Sequence, residues 1–318
     1  MLGSSICREL IGRGYAVKTL CQKGRSTATI DGLGIEIVSG DLLDKDRLIK
    51  EMHGCDAVIH IAASTTVWPR RSNIINLVNI TGTSNVIDAV KACGLKRMVH
   101  IGSASSFTCL SKDQPATEES PYAGWKYGMD YLDSKYEAQM MLMRENVENS
   151  FPVIIINPTF MIGPYDSGPS SGMMLLSLYQ GKIPGYSNGG KNFICSTDVA
   201  KGAVNALTKG RLGECYIAGN ENLEYKEFFK KASYVMGKES KLRRIPDVFI
   251  YLFGFISSVI ARTFHKKPTL SYGMAVMAPM SQYYSPAKAV KELDLPQTPI
   301  EQGIKDCMDW FKANKYLD

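Results

Sequence analysis

The first half of the chain alternates short apolar strands with amphipathic helices, and this alternation constrains the fold more than any other feature. An opening helix, ICRELIGRGYAV, is ended by Gly12 and Gly14. Strand patterns then recur at 16–22 (AVKTLCQ), 34–42 (GIEIVSGDL), 57–63 (AVIHIAA), 96–105 (KRMVHIGSAS) and 152–158 (PVIIINP). Helical patterns separate them at 45–52, at 79–94 and through Tyr131–Val147. Strands and helices spaced in this way build right-handed β-α-β units on a parallel sheet buried on both faces. The expected class is therefore α/β. A Gly/Pro/Ser-rich stretch, TFMIGPYDSGPSSG, follows the last of these strands and places a change of domain near residue 160. Residues 1–160 form the sheet domain, and residues 161–318 a mixed region from which some segments return to the sheet. In that second region Asp198 is expected to cap a helix. The closing helix presents Ile300, Ile304, Met308 and Phe311 on one apolar face.

Composition removes several function classes. With 318 residues, 45% of them hydrophobic, the chain can bury a large core. The excess of 37 Lys and Arg over 31 Asp and Glu is small and unclustered, which argues against a nucleic-acid partner. Eight cysteines, at 7, 21, 55, 93, 109, 195, 215 and 307, form no CxxC pair, and no signal peptide precedes them; reduced thiols in a cytoplasmic protein are expected. The four histidines are dispersed, so no metal site is suggested. The apolar run Val248–Ala261, broken by Gly254 and two serines, is shorter than the ~20 residues that span a bilayer. It is expected as a buried helix or pocket wall. Peripheral membrane contact through its basic flank, Arg262 and His265-Lys266-Lys267, is the alternative.

Ligands of open parallel sheets bind beyond the carboxyl ends of the strands. Asp41, Ala62, Ala63, Ser64, Ser103, Asn157 and Pro158 stand at such ends. Singly, each also reads as ordinary turn chemistry. Within the following helix Tyr131 and Lys135 lie four residues apart and reach a common point. An ammonium beside a phenol stabilises the phenolate, so a depressed Tyr131 pKa is expected. Tyr122 and Lys126 repeat the spacing, but Pro121, Gly124 and Gly128 put that pair in a loop or at a helix start.

The ordered set Gly3 before a helix, GDLLD, HIAA, NITGTSNV, VHIGSAS, YLDSK and NPTFMIGP resembles the extended short-chain dehydrogenase/reductase family, and within it the dihydroflavonol-reductase-like branch. The resemblance extends over essentially the whole chain. It implies a Rossmann-like doubly wound sheet with a smaller mixed α/β substrate-binding region. It also implies an NAD(P)H-dependent oxidoreductase that reduces the ketone or aldehyde of a small, fairly apolar substrate. Tyr131 would be the general acid, Lys135 would hold the nicotinamide ribose, and Ser103 would polarise the carbonyl, with Ser105 and Ser106 as its competitors. Pro158 would lie against the nicotinamide, Asp41 and Leu42 against the adenine, and Ala62 and Ala63 along the cofactor. Asn79 would be a structural residue of its helix. Ser64, Ser105, Tyr122, Trp125 and Thr159 would face the substrate. Beyond the first strand, Gln22–Ser26 contains no acid to bind a ribose 2′-hydroxyl, whereas Lys23 and Arg25 can meet a 2′-phosphate, so NADP(H) is favoured over NAD(H). A homodimer through the Tyr131 helix is a family-level expectation. Two alternatives remain: a nucleotide-sugar epimerase or dehydratase with bound NAD, and a non-catalytic dinucleotide-sensing protein.

The chain departs from the family at its start, where a strand and a TGxxGxxG turn would present amides to the pyrophosphate; here Gly3 stands for the last glycine alone. This chain is accordingly expected to bind NADPH weakly and to be less stable than a version with that strand restored. Calorimetric titration checks this; sub-micromolar affinity for the present chain would contradict it.

Overall fold

The computed structural model describes residues 1–108 and 111–317. Cys109 lies outside the described residues; the other seven cysteines are free thiols. Helix α1 (Leu2–Gly12) is followed by β1 (Lys18–Cys21), β2 (Glu36–Ser39), α2 (Lys45–Met52) and β3 (Ala57–His60). Asp44 starts α2 by accepting the Arg47 amide at 3.0 Å. The next helical column begins at Asn73, earlier than its sequence pattern indicates. It comprises α3 (Asn73–Asn76), a π-helical turn at Leu77–Thr81 and α4 (Gly82–Cys93). Gly94, with φ of 63°, closes it in the left-handed region that glycine favours. Strand β4 (Arg97–Ile101), helix α5 (Asp130–Asn149) and strand β5 (Val153–Pro158) complete the first half.

The second half contains β6 (Phe160–Ile162), α6 (Gly172–Tyr179), β7 (Gly185–Tyr186), β8 (Gly190–Cys195), α7 (Ser196–Asn205), β9 (Cys215–Ala218) and β10 (Glu221–Glu224). After these come α8 (Tyr225–Val235), β11 (Arg243–Arg244), α9 (Asp247–Thr263), α10 (Tyr272–Met277), β12 (Ser281–Gln282), α11 (Ala287–Leu293) and α12 (Ile300–Ala313).

Strands β3, β4, β5 and β9 form a parallel sheet in that order. Successive residues of its central strands feed opposite cores. Met98, Val153, Ile155 and Ile217 pack with Val86, Val90 and Leu142 of α4 and α5, whereas Val99, Ile154, Ile156 and Tyr216 pack with Ile6, Val199 and Ala203 of α1 and α7. Period-two alternation with both faces apolar is what helices on both sides of a sheet require. Each such Ile or Val, fully buried, contributes ~1.5–3 kcal/mol. Among the described residues, β1 pairs only with β2, in a separate parallel ribbon, so β1 and β3 each keep an open edge. A second sheet, β10-β8-β12 with β6 on β8, packs against α6, α8 and α12 around Phe193, Phe228 and Phe311. The apolar face expected on α12 is buried there.

Three expectations need correction. Asp198 lies inside the first turn of α7, not at its cap; its carboxylate accepts the Thr298 amide at 2.8 Å and the Thr298 hydroxyl at 2.9 Å, fastening the C-terminal segment. Leu132, Tyr136, Met140 and Leu142 fall at helical spacing in the sequence and predict one apolar face of α5, yet Met140 is exposed. The 248–261 run forms α9, yet only Gly254 and Ala261 of that helix are buried, so it is not an internal helix.

His60 and His100 are register partners on β3 and β4, with ring centroids 5.1 Å apart. Both are buried, and the His60 ring bonds Thr83 Oγ1 at 3.1 Å. Burial first, and the Lys135 charge second, pushes His60 down to about 3 and His100 well below its ordinary value. The unfolded chain therefore takes up protons below about pH 6.5 that the folded chain refuses. Stability is full above that pH and falls as pH drops toward 3, by up to ~1.4 kcal/mol per pH unit for each histidine. Urea midpoints measured from pH 7 to 4 should fall with this slope, and less steeply in His60→Gln; equal slopes would refute the assignment.

Candidate active site

Three strand ends and one helix meet at a single point. Lys135, in the second turn of α5, is buried and donates from Nζ to the Ile101 carbonyl at 2.7 Å, at the carboxyl end of β4. Two residues on, the Ser103 hydroxyl stands near enough to the Tyr131 phenol to lower its pKa. Asn157, near the end of β5, donates to the Ser103 carbonyl at 3.0 Å and to Gln139 Oε1 at 2.7 Å. Gly102 makes this approach feasible, since a Cβ there would stand 2.6 Å from Asn157 Nδ2. The structure thus gathers Ser103, Tyr131 and Lys135, with Pro158 ending the adjacent strand.

The π turn supplies the other tie. It turns Asn79 inward, where Oδ1 accepts the Ser64 amide at 2.7 Å and Nδ2 donates to the Ser64 carbonyl at 3.0 Å and to Ser134 Oγ at 2.9 Å. One side chain therefore fastens the segment after β3, which carries Ala62 and Ala63, to α5. Such π turns often mark functional positions. Helix α5 consequently buries Asp130, Ser134, Lys135 and Gln139 alongside Leu132, Ala138 and Leu142. Asp130 is held by Arg71 Nη1 at 2.6 Å and by the Ser72 amide at 2.6 Å.

The electrostatics differ from the sequence expectation at Tyr131. Burial raises the phenol pKa, and the Ser103 hydroxyl only partly opposes this. The Lys135 ammonium is engaged with Ile101 and is itself pushed down to about 8 by burial. Desolvation outweighs the helix-neighbour effect, so Tyr131 is a protonated donor here and not a depressed phenol.

The second YxxxK is dismantled. Gly124–Tyr127 is a single 3-10 turn. Tyr122 instead donates to Asp133 Oδ1 at 2.6 Å, stacks on Tyr136 with centroids 4.2 Å apart, and has its phenol pKa raised by burial and that carboxylate. A cavity of about 440 Å³ adjoins the site, lined among others by Ser105, Phe107, Tyr127, Leu132, Met277 and Met280. Ser105 Oγ lies 2.7 Å from Ser103 Oγ, so the serine pair joins Tyr131 to the cavity. Of the expected substrate residues, Ser105 lines this cavity. Tyr122, Trp125, Ser64 and Thr159 are outside its wall: Trp125 is 69% exposed, Ser64 is engaged with Asn79, and Thr159 donates to Asn192 Oδ1 at 2.8 Å. Met277, Met280 and Gln282 were missed, because nothing local marks a residue that arrives from the far end of the chain. Gln139 was findable, four residues beyond Lys135 on the same helix face. Another hollow, about 320 Å³ near Val90, Gly94 and Pro152, lies at the amino ends of β4 and β5, away from this chemistry.

The expected cofactor residues follow the ends of β1, β2 and β3, end β5, and open α1. The Cβ position of Gly3, in the first turn of α1, looks onto Ile61 Cδ1 at 3.9 Å, just past β3. Asp41 Oδ1 accepts the Leu43 amide at 2.9 Å, and Leu42 is held to α4 by close approach to Gly82 and by Asn85 Nδ2 at 3.2 Å. Lys23 and Arg25 are exposed beyond β1. A dinucleotide fits these residues at its ribose end: the buried Lys135 ammonium has three protons and, among the described residues, one hydrogen-bond acceptor, Ile101 O. Among the described residues no cluster of His, Cys, Asp and Glu suits a metal.

Comparison with known proteins accords with this geometry. Residues 1–219 match the model of the NAD dependent epimerase/dehydratase family. The chain is 28% identical to a dihydroflavonol 4-reductase-like protein of Synechocystis, over 99% of this chain and 93% of that one. It is 26% identical to a 2-alkyl-3-oxoalkanoate reductase of Shewanella oneidensis, over 96% of this chain and 82% of that one. The crystal structure of gox2253 superposes with a TM-score of 0.87 at 28% identity, covering 100% of this chain and 97% of the other.

Burial also lowers Lys191 to about 8. NMR titration of lysine side chains should therefore show two that lose their proton near pH 8, one absent in Lys135→Met and the other in Lys191→Met. Lysines that all titrate above pH 10 would overturn the burial argument.

Proposed function

This chain belongs to the NAD-dependent epimerase/dehydratase family and is an NAD(P)-dependent oxidoreductase; on that footing we propose that it reduces the carbonyl of a fairly apolar substrate. The observation that supports the proposal is the grouping of Ser103, Tyr131 and Lys135 beside a cavity whose mixed wall sets Phe107, Leu132, Met277 and Met280 among serines and two lysines, Lys112 and Lys126. A bound nicotinamide dinucleotide supplies the hydride. The chain's own residues manage the oxygen. Ser103 donates to the carbonyl oxygen, while Ser105, 2.7 Å from it, keeps the serine oriented. Tyr131 gives its proton to the same oxygen as negative charge develops there, and the raised phenol pKa keeps that proton available at neutral pH. Lys135, one helical turn from Tyr131 on α5, carries a positive charge that would stabilise the phenolate left behind. Asn157 and Gln139 hold the Ser103 backbone, and Asn79 holds α5, so the three groups stay in position.

NADP(H) is the proposed cofactor form, supported by Lys23 and Arg25 beyond β1 and by the lack of an acid between Gln22 and Ser26. Oxidation of NADPH, supplied well above its dissociation constant, against a panel of ketones and aldehydes tests the reading. Tyr131→Phe should lower kcat by ~10²–10⁴, whereas Tyr122→Phe should leave it within a few-fold. Turnover of nucleotide sugars without net NADPH oxidation would favour an epimerase instead.

A further inference from the structure

Helix α9 is built inside out. Its buried positions are small, Gly254 and Ala261, with Ser257 and Ser258 beside them, whereas its large side chains point to solvent. Phe249 is 60% exposed, Leu252 54%, Phe253 51% and Phe255 56%. The small face seats α9 on α10: a Cβ at Gly254 would come within 2.4 Å of Ala275 Cβ, and Ser258 Oγ accepts the Tyr272 amide at 2.8 Å. At ~100° per residue, the exposed apolar side chains from Tyr251 round to Phe253 sweep an arc of about 200°. One packed partner covers an apolar stripe of about 100°. A surface twice that wide suits an apolar medium that wraps the helix, not a single docked element.

The charges name the medium. Lys241, Arg243 and Arg244 precede α9; Arg262, His265, Lys266 and Lys267 close it, all exposed; and Asp247 is the one acid between 241 and 267. Cations at both ends of an apolar helix complement anionic headgroups, with basic stems lying along the apolar boundary. No described helix is long and apolar enough to cross a membrane, so α9 would lie in the interface. The helix also leads into the site. It packs on α10, which ends at Met277, and Met277 and Met280 line the cavity beside Ser105 and Leu132.

We propose that α9 seats this protein on the surface of an anionic bilayer, and that the cavity walled by Met277 and Met280 takes its carbonyl substrate from the lipid phase. The second half rests on the reductase reading; the first does not. The substrate class is then an amphiphile or lipid bearing a ketone or aldehyde.

The full chain should co-sediment with phosphatidylcholine vesicles containing phosphatidylglycerol at least about ten-fold better than with phosphatidylcholine alone. Replacing Phe249, Phe253 and Phe255 together by Ser should abolish this without altering the circular dichroism, because all three are exposed. Lys266→Glu with Lys267→Glu should remove the preference for anionic vesicles. Tyr131→Phe should bind vesicles as the parent does. In the activity arm, the triple-serine variant should reduce a short water-soluble ketone at the parent rate and a long-chain ketone dissolved in vesicles about ten-fold more slowly. Absence of vesicle binding overturns the docking, as does a dimer that the triple variant dissociates while vesicles capture neither form. Vesicle binding with no ketone reduced leaves the docking supported and refutes the substrate half together with the reductase reading.

Discussion

A buried ammonium organises this protein. Among the described residues, Lys135 is held from the carboxyl end of β4 by one hydrogen bond, to Ile101 O, and pairs with no carboxylate. Burying a charge in that state costs several kcal/mol, and its pKa, lowered to about 8, records the strain. The surroundings are arranged to tolerate it. His60 and His100 stay neutral near it, through burial and then its charge, and the helix that carries it is anchored at Asp130, Ser134 and Gln139. A core built only for stability would have placed an apolar residue here. The charge is retained at a strand edge where a ligand's hydroxyl groups can share its protons.

Two asparagines convert that local strain into a positioned site. Asn79 reaches the loop after β3 and the α5 helix at once, because a π turn rotates it out of the ordinary helical column. Asn157 joins the loop after β4 to α5 through Gln139, one turn beyond Lys135. Each amide serves two elements, so strand ends and helix keep their separation without the site being filled by packing. The serine pair can then face the cavity with its hydroxyls free to exchange partners.

The second region contributes the opposite imbalance. Around β8 the aromatic residues are stacked and sealed, as with Phe193 on Phe228 at 4.0 Å. On α9 residues of the same kind are turned outward and flanked by cations. A chain that can bury phenylalanine so thoroughly in one place and displays it in another has an unmet apolar surface, and that surface adjoins α10, whose Met277 lines the cavity beside Ser105.

The sequence by itself determined the parallel α/β sheet and the helix that sets Tyr131 and Lys135 four residues apart, because periods of two and of 3.6 residues are written locally and survive without knowledge of partners. It also marked Ser103, Asn157 and Pro158, since strand ends are legible wherever an apolar run stops. Tertiary structure decided the rest. Whether Tyr131 is depressed or raised depends on how much water reaches it, which no spacing records. The YAGWK double failed because a 3-10 turn and Asp133 claimed Tyr122. Met277 and Met280 joined the cavity from the far end of the chain. The apolar run at 248–261 was plainly a helix in sequence, but only packing could say which face met the protein, and it chose the glycine and the alanine because only side chains that small let α9 and α10 touch.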